Sequence, residues 1–268
     1  MFANARMYSI NAATAAAWRT LLQWVVDRAQ VACEVIDYPP PQPLADLWGR
    51  SDMGCAFMCG YPYARSKPRP LLLAAPVPKL ERCSGEPIYW TDIVVRADSP
   101  IRDVAGAFGH RFAFTAEDSQ SGWHAPRALL APFAQDHGGP LFSEVVGPLR
   151  TPRRVVEAVI AGDTDVGPLD SYAHALLRMT EPELAGGLRV IASTSPTAIP
   201  TFVAAVSTPP ADVRRITEAL LAVHESAWLA PARATLCLER FARVPPGRYD
   251  ALLVAAQQAD SLGYPKFA

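Results

Sequence analysis

Short apolar runs alternate with helix-length stretches along almost the whole of this 268-residue chain. Runs of strand length include MGCAFM (53–58), YWTDIVVR (89–96), RFAFT (111–115), DVGPLD (165–170), RVIAS (189–193) and TFVAAV (201–206). Between them lie stretches with helical spacing, such as NAATAAAWRTLLQWVVDRA (11–29), PRRVVEAVIA (152–161) and ADVRRITEALL (211–221). This alternation predicts an α/β protein with mostly parallel sheets, because a parallel strand pair needs a crossover long enough to hold a helix.

Punctuation refines the pattern. ARMYSI (5–10) reads as a first strand leading into the helix from Asn11 to Ala29. The proline run PPPQP (39–43) ends the strand VACEVIDY, since proline has no amide donor and a fixed φ. Thr151 and Pro152 suit the N-cap and first position of a helix that Gly162 ends, and Ser99 suits another N-cap. YDALLVAAQQADSLGY (249–264) predicts a closing helix. Strands IYWTDIVVR and RVIASTS flank a middle block and are read as two hinge crossovers. They give one discontinuous lobe, 1–95 with 196–268, and a second lobe, 96–195, around a cleft at the carboxyl ends of strands.

Composition removes several function classes. The net charge is −1 and no lysine- or arginine-rich block occurs, so neither nucleic acid nor an anionic membrane is an expected partner. No apolar run reaches the ~18–20 residues of a membrane span, so the chain is not expected to be membrane-embedded. The first residues lack the basic and apolar pattern of an export signal, which points to a cytoplasmic protein, or a periplasmic one if a leader lies upstream. Five cysteines, an odd number at irregular spacing, read as free thiols. The CxxxC pair of Cys55 and Cys59 has no second pair, and the five histidines form no i, i+4 pair, so neither metal nor cofactor is expected.

One turn stands out. FTAEDSQSGWH (114–124) places Ser119, Gln120, Ser121 and Gly122 between a strand and a helix. Serines there can simply cap the helix. They can also seat an anion, because the first helical amides lack internal partners and the dipole favours negative charge.

Four strings occur in register: CGYP (59–62), YWTDIVVRADSPI (89–101), SQSG (119–122) and GDTDVGPLDSYA (162–173). Together they resemble the phosphate/phosphite/phosphonate solute-binding family of ABC transporters, closest to members lacking a signal peptide, from about Arg6 to Val206. The resemblance implies a two-lobed type II periplasmic-binding-protein fold. It implies that Ser119, Gln120 and Ser121 hold the anionic head of a ligand, with Tyr61 in the first-lobe wall. Asp170 would meet a cationic or hydroxyl group, and Tyr8 would stack or hydrogen-bond. The implied function is a non-enzymatic protein closing two lobes on a small anionic, phosphonate-like solute for an ABC permease. A cytosolic ligand sensor is an alternative. Another is an enzyme on the same scaffold, of the thiamine-precursor type, which would use Cys59. One stretch departs from the pattern: GPLRTPRRVVEAV (147–159) has no histidine where relatives carry Gly-x-His, leaving Arg150 or Arg153 as anion partner.

Overall fold

The computed structural model describes residues 1–268. The chain forms two compact units: Met1–Ile88 with Ala198–Tyr249, and Tyr89–Thr197 with Asp250–Ala268. No helix is long and apolar enough to cross a membrane.

The first unit opens with β1 (Phe2–Asn4), α1 (Ala12–Ala29), β2 (Glu34–Val35), α2 (Leu44–Trp48), β3 (Met53–Met58), α3 (Gly60–Arg65), β4 (Leu71–Leu72) and β5 (Ala75–Pro78). Helix α1 starts where the sequence predicts. Asn11 Oδ1 accepts from the Thr14 amide at 3.0 Å, and Thr14 Oγ1 accepts from the Asn11 amide at 3.1 Å, a reciprocal capping box. Its inner stripe of Trp18, Leu21, Leu22 and Val25 is buried. Trp18 meets Phe57 edge-on at 5.0 Å, and Phe57 stacks on Phe202 at 3.8 Å. The first strand, however, is Phe2–Asn4 rather than ARMYSI; residues Arg6–Tyr8 form a 3-10 turn. Asn4 ends the strand: its side chain accepts from the Arg6 amide and donates to the Ile36 carbonyl, each at 2.9 Å.

The short strand β6 (Ile88–Tyr89) leads into the second unit. There follow β7 (Thr91–Arg96), β8 (Arg111–Ala113), α4 (Ala125–His137), β9 (Glu144–Val146), α5 (Pro152–Ala161), β10 (Val166–Asp170), α6 (Ser171–Thr180), α7 (Pro182–Gly186) and β11 (Leu188–Ser193). A π-helical turn, Gln120–His124, precedes α4 without a break. Helix α5 keeps the expected cap, Thr151 accepting from the Arg154 amide, and ends at Gly162 with φ 80°. Ser99 does not cap a helix; its hydroxyl accepts from the Ile101 amide at 3.2 Å, and only the short 3-10 turn Ala105–Ala107 follows.

Strand β12 (Thr197–Ala198) returns the chain to the first unit, which is completed by β13 (Thr201–Ala204), α8 (Pro210–Leu221), α9 (Ala230–Thr235) and β14 (Leu238–Ala242). Helix α10 (Gly247–Ser261) then carries the chain over at Tyr249–Asp250. There are thus three passages rather than two, and residues 250–268, expected in the first lobe, belong to the second unit. Ala259, Tyr264 and Phe267 share its core with Phe112, Trp123 and Leu141. The expected boundaries also move, because β7 and β11 lie wholly inside the second unit.

Both five-stranded sheets are mixed, β2-β1-β3-β13-β4 and β11-β7-β10-β8-β9. Pairing is parallel in β2-β1-β3 and β10-β8-β9, and antiparallel in β3-β13-β4 and β11-β7-β10. The expectation of mostly parallel sheets is corrected on this point. Strands β7 and β13 enter their sheets from the other unit and are not delivered by a helix crossover, which is what imposes parallel pairing.

Replacing Trp18 by alanine is expected to lower unfolding free energy by about 3–5 kcal/mol in guanidinium titrations. Trp228, 65% exposed, is expected to change it by less than about 0.5 kcal/mol on the same substitution.

Candidate functional site

The Ser-rich turn follows β8 in the second unit. Ser119 is extended (φ −77°, ψ 128°), and its hydroxyl accepts from the Gly122 amide at 2.9 Å. The His124 amide reaches back five residues to the Ser119 carbonyl at 3.1 Å, which makes the turn π-helical. Gly122 is required by close approach: a Cβ there would lie 1.8 Å from Thr115 Oγ1 and 2.8 Å from Thr115 Cβ. Gln120 and Ser121 are buried. Ser119 therefore caps the turn through a hydroxyl lone pair, which leaves its O–H able to donate.

Asp170 ends β10 and caps α6. One carboxylate oxygen accepts from the Tyr172 amide at 2.9 Å and the Ala173 amide at 3.0 Å. Its backbone lies opposite Thr91 in the β10–β7 ladder, and Thr91 Oγ1 donates to the Ser121 carbonyl at 3.1 Å. The turn and Asp170 are thereby brought together at the carboxyl ends of the parallel neighbours β8 and β10, the position where open α/β sheets hold ligands.

Next to Thr91, Asp92 is the centre of a buried polar cluster. It accepts from Trp90 Nε1 at 2.8 Å, Ser193 Oγ at 2.7 Å and His174 Nδ1 at 3.0 Å. Burial pushes the Asp92 carboxyl up, but the hydrogen bonds from His174 and Ser193, with smaller help from the charge of His174 and from Trp90, outweigh it and leave it below its ordinary value. The cluster ties α6, with its Asp170 cap, to the starts of β7 and the end of β11.

In the first unit Tyr61 is half-buried in the first turn of α3, with the Arg65 guanidinium 5.7 Å from its ring centroid. Tyr8 is 1% exposed; its ring packs edge-on against Phe57 at 5.2 Å, and its carbonyl accepts from Trp18 Nε1. The structure thus gives Tyr8 a core position. A cavity of about 640 Å³ in this unit is lined by Asn4, Arg6, Ser9, Arg19, Val35 and Tyr38 among others, and by neither Tyr8 nor Tyr61. Cys59, the thiol of the enzyme alternative, is buried at the N-cap of α3.

The two arginines considered in place of the missing histidine differ. Arg153 is committed, with two donors on Glu181 and one on Glu157. Arg150 is exposed, in the left-handed region at φ 67°, with its amide on the Thr115 carbonyl at 2.7 Å. Sequence reasoning missed Thr91, Thr115, Asp92 and Arg127. Only Arg127 carried a signal: it interrupts the otherwise apolar run APRALLA, on the face that Trp123, Leu130 and Ala131 bury.

Solved structures of solute-binding proteins share this architecture. A binding-protein component of an ABC phosphonate transporter from Pseudomonas aeruginosa superposes with a TM-score of 0.81 at 16% identity, over 98% of this chain and 87% of that one. A Prochlorococcus marinus protein in complex with methylphosphonate gives 0.75 at 15%, over 97% and 98%. The alkanesulfonate-binding protein of Xanthomonas axonopodis pv. citri, bound to MOPS, gives 0.60 at 16%, over 99% and 94%. The fold is that of the type II periplasmic binding proteins. The profile of one family, described as "ABC transporter, phosphonate, periplasmic substrate-binding protein", matches residues 13–246, and the chain belongs to that family. Among curated protein sequences none matches significantly.

Two outcomes test the site's construction. Gly122→Ala is expected to cost about 1–3 kcal/mol by overpacking, and Thr115→Ala in the same chain to recover part of it by removing Oγ1 and Cγ2, read from urea unfolding. Asp92→Asn reports on the buried cluster. Because the folded carboxyl is depressed, its contribution is complete well above the unfolded value of ~3.9 and is lost as pH falls through the folded value. The stability gap between wild type and Asp92→Asn should therefore narrow on acidification; a gap independent of pH would contradict the depressed carboxyl.

Proposed function

We propose that this chain is a solute-binding component that holds a small phosphorus oxyanion on the Ser119–Gly122 turn. The observation that carries the reading is the placement of that turn. A helix entrance with an opened π-helical first turn is fixed at the carboxyl ends of β8 and β10, beside Asp170. Amides at such an entrance have no carbonyl ahead of them, and the helix dipole adds favourable potential for an anion. Ser121 and Gln120 supply further donors, and Ser119 shapes the turn.

Asp170 bears on which oxyanion is taken. A carboxylate beside an anion seat repels a second negative charge and welcomes an ammonium or hydroxyl substituent. The reading therefore favours a phosphonate carrying such a group, for example 2-aminoethylphosphonate, over a bare alkyl phosphonate. Tyr61 serves as the ligand wall of the first unit in this reading, while Tyr8 serves packing. Family membership supports delivery of the solute to an ABC permease. The neighbours solved with methylphosphonate and with the sulfonate buffer MOPS support a tetrahedral oxyanion head. Binding without chemistry is favoured over a reaction at Cys59, because a thiol nucleophile needs access and an activating base, and Cys59 is buried.

In a thermal-shift and calorimetry screen, a ligand at about 100 times its Kd should stabilise the fold by roughly 2.7 kcal/mol. The expected order is 2-aminoethylphosphonate above methylphosphonate, with Ser121→Ala weakening both and Asp170→Asn reducing the preference between them. Binding that survives Ser121→Ala unchanged would remove the turn from the site. A response to carboxylates alone would replace the ligand class.

A further inference from the structure

π-helical turns are rare, occur mostly as single turns, and are frequent at functional sites, so what packs against this one, Gln120–His124, bears on its role. Arg127, the third residue of α4, is 3% exposed. Its guanidinium donates to the carbonyls of Ala256, Tyr264 and Pro265 and to the Asp260 carboxylate. It also approaches His124 Nδ1 at 3.4 Å, and since a guanidinium can only donate, that nitrogen is the acceptor. Two aromatic contacts add to this. Trp123 meets Phe267 at 4.6 Å and Phe114 at 4.9 Å, both edge-on. The Ala268 carbonyl accepts from the Leu141 and Phe142 amides at 2.7 and 3.2 Å, which fixes the segment carrying Phe267.

We propose that Arg127 and residues 256–267 form a brace that holds the π-turn in the geometry its anion-binding face requires, so that Arg127 is a positioning residue for ligand affinity. This rests on the reading of the Ser119–Gly122 turn as the anion seat. The brace grips the two turn residues that face the core, Trp123 and His124, and leaves Ser121 and the helix entrance to the ligand. It also gives the closing segment of the chain a role at the site, although the family profile ends at residue 246. Arg127 does not touch the anion in this arrangement. Its Nη donors go to the segment behind the turn and to His124, and it acts through backbone geometry.

The test compares Arg127→Met and the milder Phe267→Ala with Arg189→Met. Arg189 ties down the carbonyls of Ala97, Ser99 and Ile101, away from the turn. Hydrogen exchange at the Gly122 and His124 amides reads the brace without ligand; calorimetry with methylphosphonate and 2-aminoethylphosphonate, normalised to folded protein, reads affinity. Arg127→Met and Phe267→Ala are expected to speed exchange at both amides and to weaken binding by about tenfold, a change of about 1.4 kcal/mol. Arg189→Met should lower the melting temperature and alter neither readout. Unchanged exchange and Kd in folded Arg127→Met and Phe267→Ala would overturn the brace. If the wild type takes no oxyanion, the anion-seat reading falls, and the exchange data still decide whether the brace holds the turn.

Discussion

Thr91 is the residue through which the second unit's sheet, its Ser-rich turn and Asp170 are joined. It is buried, and each of its polar groups is used. Its amide donates to Thr194 Oγ1, its carbonyl accepts from the Thr194 amide, and its hydroxyl donates to the Ser121 carbonyl. Buried polar groups are costly unless paired, so this small set of bonds holds β7 to the residue after β11 and to the turn. Asp170 stands opposite Thr91 in the ladder, and Asp92, the next residue along, collects Trp90, Ser193 and His174. Two adjacent residues of one strand thus fix the turn on one side and the start of α6 on the other.

Capping and anion binding first look like rival readings of the turn, but in the proposed site they fall to different groups. The Ser119 oxygen accepts from the Gly122 amide, which closes the turn and satisfies one orphan donor. The helix entrance itself, with Ser121 beside it, is what an anion would use. Gly122 is the hinge of this division. With no Cβ it lets the backbone lie against Thr115, and any larger residue would push the turn outward.

How much of this was legible follows the range of the interactions. Local patterns were readable. The Asn11–Thr14 capping box, the Thr151-Pro152 entry to α5 and its Gly162 exit all depend on residues a few positions apart. The π-turn was readable only as a helix entrance, because its extra residue is imposed by Thr115, Arg127 and Phe267, up to about 150 residues away. Strand direction in β7 and β13 was misjudged because the passage between units, and not a local crossover, decides it. Tyr8 illustrates the same limit. A tyrosine after a strand reads alike whether its ring faces a ligand or, as here, Phe57 and the core.

In the proposed site, the absence of a histidine in the loop before α5 changes the electrostatics around the Ser119–Gly122 turn. Arg153 lies in that region, but its donors are taken by Glu157 and Glu181, and Arg127 is turned away onto the closing segment. What faces the helix entrance is then a set of neutral donors and a dipole, next to a carboxylate. Neutral donors contribute direction more than long-range attraction, and a fixed dipole acts only within about one turn. Affinity in the proposed site depends on holding those donors at hydrogen-bond distance and angle to the oxyanion, because neutral donors draw a ligand in only weakly from afar. That is why the rigidity of the turn, set by Gly122 on Thr115 in front and by Arg127 and Phe267 behind, matters more here than the count of charges around it.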